Sequence, residues 1–168
     1  METKDRLIKK IFLMIALFVI LTMIATLFFK GQLNEFAIHS DLYEWEKKNL
    51  SFFDVFRNNI VVCFVALSGI FLFRIPAFLV YFINPIMLGL ILAANWVSTG
   101  VLLYFIRIII PHSIFEIPAI VLSCSLGMQG KKGRQDIKKN TGVIYIGVII
   151  ILLVIAAFIE TTVSESLI

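Results

Sequence analysis

Charge is absent from this sequence over long stretches, and between Ile11 and Phe29 there is none at all. Such a run covers the roughly 30 Å of bilayer hydrocarbon at about 1.5 Å per helical residue. With 60% hydrophobic residues and a mean hydropathy of +1.00, against roughly 45–50% apolar content in soluble domains, the chain reads as an integral membrane protein. Cysteine is scarce too. Cys63 and Cys124 both fall inside apolar runs, which leaves neither a disulfide framework nor the CxxC spacing of a metal site. His39 reads as solvated, and His112 has no second histidine near it in sequence, so a zinc site falls short of its three or four ligands. There is no nucleophile elbow and no glycine-rich phosphate loop with lysine. The expectation is a protein with no catalytic residues, no metal and no cofactor. The N-terminal run lacks an A-x-A cleavage pattern and exceeds the 7–15 residues of a secretion signal, so it reads as an uncleaved first transmembrane helix.

What is present is a series of apolar segments separated by short polar ones. The pattern predicts an all-α, polytopic membrane helical bundle forming one domain over residues 1–168, with five transmembrane helices at about 11–29, 52–73, 76–97, 113–128 and 141–159. "SFFD" at Ser51–Asp54 resembles a capping box that starts the second span, and Pro76 suits the first turn of the third. "VLLYFIRIII" at Val101–Ile110 is too short to span before Pro111 intervenes, and it predicts a short interfacial or re-entrant helix.

The formal charge of +4 comes from Lys and Arg that lie mostly between apolar segments, where they meet lipid headgroups and bias orientation. The lipid bilayer is the expected partner and nucleic acid is not. Lys4, Arg6, Lys9 and Lys10 precede span one, and Lys131, Lys132, Arg134, Lys138 and Lys139 lie between spans four and five. Both clusters on the cytoplasmic side place the N-terminus inside and the C-terminus outside the cell membrane. The segment at about 30–51 is then extracytoplasmic, and its aromatics, including Tyr43 and Trp45, read as an interfacial helix or a partner-binding surface.

Polar groups at membrane depth need partners, because lipid offers none. Asn58 and Asn59 open span two near the headgroups. Asp54 and Arg57, three apart, can pair locally. Asn84, followed by Pro85, reads as a helix-packing amide or a cavity-lining one. Gly89 and Ala93, four apart, favour close helix contact within the chain or in a homo-oligomer. In "PHSIFEIPAIVLSCSLG", Ser113 and Glu116 fit a capping box at the start of span four. Alternatively, His112 and Glu116 share one helix face and form a polar site with groups from other helices, while Pro118 distorts either arrangement.

Three segments, "FRNNIVVCFVALSGIF", "INPIMLG" and "IIPHSIFEIPAIVLSCSLGMQ", resemble the stage II sporulation protein M family of bacterial membrane proteins. Pro111, His112, Glu116, Pro118 and Ala119 fall where the family signature expects them. Ser113 stands where the family usually has glycine after the histidine, and Pro85 where it usually has glycine after the asparagine. The resemblance covers roughly residues 52–159. It implies a non-enzymatic membrane scaffold or assembly protein that recruits envelope or peptidoglycan-remodelling partners. The alternative it carries is a transporter, or a membrane component of a peptide or bacteriocin export or immunity system.

Overall fold

The computed structural model describes residues 2–37, 51–100, 102–130 and 140–166. Five helices form within them: α1 (Glu2–Ala37), α2 (Phe52–Ser68), α3 (Ile75–Thr99), α4 (Leu102–Met128) and α5 (Asn140–Ser166). Four carry stretches long and apolar enough to cross a membrane, at Ile8–Asn34, Ile75–Ser98, Ile109–Met128 and Gly142–Thr162. The chain is a helical bundle with the make-up of a membrane protein.

Packing follows membrane logic. Large apolar side chains such as Phe12, Leu13, Met23, Phe78 and Phe158 face outward, whereas the buried positions are rich in small and hydroxyl residues, including Ala25, Ala66, Ala119, Thr22 and Ser123. Lipid tails are as apolar as leucine, so helix association depends on close backbone approach, which small residues permit. Three buried hydroxyls are satisfied within their own helices: Thr22 donates to the Phe18 carbonyl at 3.0 Å, Thr26 to the Thr22 carbonyl at 2.8 Å and Ser123 to the Ala119 carbonyl at 2.8 Å, whereas the Ser125 hydroxyl takes no partner among the described residues. α1 packs most extensively on α3, and α4 on α5, with α2 set against α3, α4 and α5. Between α1 and α3, the Tyr81 hydroxyl donates to the Met14 carbonyl at 2.8 Å.

Gly127 of α4 sits where an added Cβ would strike the Ala66 carbonyl oxygen of α2 and stand 2.7 Å from the Ala77 Cβ of α3. That contact knots α2, α3 and α4 together at one end of the bundle. The turn joining α2 to α3 closes the same end, with Phe73 and Arg74 in left-handed conformations at φ 51° and 68° and the Arg74 N–H donating to the Gly69 carbonyl at 2.8 Å. Left-handed backbone is unfavourable for residues with a Cβ, so the turn is held by its surroundings. Arg74 reaches over Gly130 after α4.

Two expectations change. No separate helix occupies 101–110: α4 runs unbroken from Leu102 through Pro111 and Pro118. Membrane helices tolerate proline because neighbouring helices and local adjustments compensate for the lost backbone bond. Ser113 and Glu116 therefore lie inside α4, and no helix start is available for them to cap. The second correction concerns α2, which ends at Ser68, short of 73, where Gly69 turns the chain back; its N-cap Ser51 makes no side-chain capping bond.

Candidate functional site

The opposite end of the bundle opens into a cleft of about 270 Å³ lined by Asp54, Val55, Asn58, Asn59, His112, Glu116 and Glu160. Helix periodicity explains how residues so far apart in sequence meet. Val55, Asn59, Cys63 and Ala66 form the buried stripe of α2, so Asn59 faces the neighbours that Cys63 and Ala66 face. On α4, His112 and Glu116 are one turn apart and share a face. On α5, Ile149, Leu153, Ala156 and Ala157 form the buried stripe, and Glu160 continues it one turn on. α2 and α4 run parallel, from the cleft down to the Ala66–Gly127 contact, and α5 runs back up.

The lining is graded from solvent inward. Asp54 is exposed and faces Arg57 at 4.0 Å, an ion pair open to solvent, so it carries little net energy. His112, Glu116 and Glu160 are half-buried, while Asn59 is only 6% exposed. The carboxyl groups of Glu116 and Glu160 face the same cleft from α4 and α5. Below them the bundle is tight: Cys63 is 1% exposed, and Ala66, Val121 and Cys124 are fully buried. Among the described residues, no three His, Cys, Asp or Glu side chains are arranged to hold a metal ion.

Of the residues singled out from sequence, the structure brings Asn59, His112 and Glu116 together, with Asn58 beside them. Asn84 goes elsewhere: its amide donates to the Val80 carbonyl of its own helix at 2.8 Å. Gly89 belongs to the α1–α3 seam, where an added Cβ would lie 2.5 Å from the Ala25 Cβ and 2.8 Å from the Thr22 carbonyl oxygen. Pro111, Ser113 and Pro118 are half-buried along α4. Tyr43 and Trp45 lie outside the described residues. Glu160 is the site residue that sequence reasoning misses, because it stands just beyond the charge-free run of the last span. Its place on the Ile149–Leu153–Ala156 stripe was the available signal.

The family model described as Stage II sporulation protein M matches residues 10–165. The chain belongs to the stage II sporulation protein M family. The match takes in all seven cleft residues and, Ile8 and Lys9 apart, all four apolar spans. Among relatives of this family member, an uncharacterized protein of Methanocaldococcus jannaschii is 29% identical over 131 residues, which is 70% of this chain and 72% of that protein. No solved structure matches the chain.

Proposed function

We propose that this stage II sporulation protein M family member is a non-enzymatic membrane assembly protein whose rim cleft docks an envelope or membrane partner. The observation that carries the reading is a polar mouth over a closed floor. Asn58, Asn59, His112, Glu116 and Glu160 converge from three helices, yet beneath them Cys63, Ala66, Val121 and Cys124 are sealed by small-residue packing. A cleft of that form suits holding a group at one membrane face. By the charge bias of the loops, that face is extracytoplasmic and the N-terminus cytoplasmic. The test is affinity purification of the chain in mild detergent, paired with deletion of its gene. The reading expects a co-purifying envelope or membrane protein and altered envelope remodelling, and isolation of the chain alone with unchanged remodelling would end it.

A second reading is favoured by the same convergence. Ionisable groups gathered at membrane depth from different helices are what a transporter or export component places along its path. On this reading the packed floor must open during a cycle. Glu116→Gln should then abolish peptide or solute flux in reconstituted vesicles, and unchanged flux counts against transport.

A further inference from the structure

Resting on the docking reading above, we propose that the α2–α4–α5 cleft receives a cationic nitrogen group, an aliphatic ammonium or a guanidinium, between Glu116, Glu160 and Asn59. Glu116 of α4 and Glu160 of α5 come from different helices and face one cleft. Two like charges in a partly desolvated space repel, and an opposite charge between them relieves the repulsion. Among the described residues no Lys or Arg lines the cleft, and Arg57 turns outward to Asp54 with its side chain 80% exposed. Among the described lining residues His112 alone can carry a positive charge, and one imidazolium balances only one of the two inner carboxylates.

Asn59 is the independent observation. It is only 6% exposed, it lines the cleft, and its side chain takes no hydrogen bond among the described residues. Its amide opens onto the cleft, where it can bond a group that enters. Among the described residues no three acidic, histidine or cysteine groups are arranged to hold a metal ion, whereas an ammonium with three N–H donors, or a guanidinium with five, can bond several of the carboxyl and amide acceptors lining the cleft. A volume of about 270 Å³ exceeds the roughly 30 Å³ that one water occupies in the liquid, leaving room for such a head group and part of its stem. The group can arrive on a small free amine or on a Lys or Arg side chain of the docked partner.

The experiment uses the full chain in lipid nanodiscs and measures its thermal unfolding with n-butylammonium chloride or methylguanidinium chloride, against sodium chloride at equal ionic strength. A parallel arm adds a single-span peptide with one Lys near its end, or the same peptide with Leu there. We expect saturable stabilisation by an organic cation or by the Lys peptide and none by sodium or the Leu peptide. The free-cation arm and the peptide arm report which source the cleft accepts. Affinity should fall about tenfold or more in Glu116→Gln and in Glu160→Gln, as for loss of one partner of a buried charge pair. Ser98→Ala, on the exposed end of α3, should leave it unchanged. Equal stabilisation by sodium and by both organic cations, with no difference between the two peptides, overturns the inference, as does unchanged affinity in both glutamine variants. If one glutamine variant fails to assemble, the other still decides. Partner capture by the wild-type chain is scored separately, so that loss of the docking reading and loss of cation recognition give different results.

Discussion

Replacing Gly127 with alanine adds a single methyl group at the point where α2, α3 and α4 meet. The added Cβ would strike the Ala66 carbonyl oxygen and stand 2.7 Å from the Ala77 Cβ and 3.1 Å from the Ala66 carbonyl carbon. Two of those three atoms are backbone, so no rotamer change relieves the overlap, and α4 must move off α2. Overpacking a dense interior costs about 1–3 kcal/mol, and the gain in helix propensity from glycine to alanine returns about 1 kcal/mol. Because most of the atoms struck are backbone, the upper part of that range applies, about 2–3 kcal/mol, and the net expectation is a loss of about 1–2 kcal/mol. Gly147 on α5 is the matched control, because an added Cβ there meets nothing within 4 Å. Gly147→Ala should keep the propensity gain, up to about 1 kcal/mol of stabilisation. Both variants can be unfolded by SDS in mixed micelles and followed by tryptophan fluorescence. Opposite signs are required. A Gly127→Ala protein as stable as wild type, or as stable as Gly147→Ala, would refute the close α2–α4 contact on which the closed cleft floor depends.

Other variants probe separate parts of the bundle. Tyr81→Phe removes the hydroxyl bond to the Met14 carbonyl and should cost about 1 kcal/mol, measured in the same SDS titration. Gly89→Ala should loosen α1 from α3, because its methyl would meet Ala25 and the Thr22 carbonyl; faster hydrogen exchange along α1 is the readout. Asn84→Ala loses only a bond within its own helix and should change neither stability by more than about 1 kcal/mol nor partner capture. Asn59→Ala should weaken partner capture while leaving the elution profile of the purified chain intact.

Much of the bundle was legible because charge-free runs of about 20 residues admit few alternatives in a membrane. The misreadings came where a local rule met a tertiary environment. Pro111 read as a break and Pro118 as a distortion, yet α4 continues through both, since packed neighbours make good what proline removes. The capping explanation for Glu116 fell with the same correction, for a residue inside a helix has no free N–H groups beside it. Its partners on α2 and α5 lie more than 40 residues away in sequence, where periodicity within one helix says nothing of which neighbour it faces. Asn59 and Glu160 were each readable as members of a buried stripe, but only the assembled bundle sets the two stripes around one opening.

The most direct test of the docking claim is photo-crosslinking in living cells from a benzoyl-phenylalanine placed at Asn58, at the exposed lip of the cleft. Phe78, which faces outward from α3, serves as the reference position. The account predicts a discrete protein adduct from position 58 that is absent from position 78 and that fades when Glu116→Gln and Glu160→Gln are introduced together. Adducts that are the same from both positions, or that persist undiminished in the double variant, would contradict it.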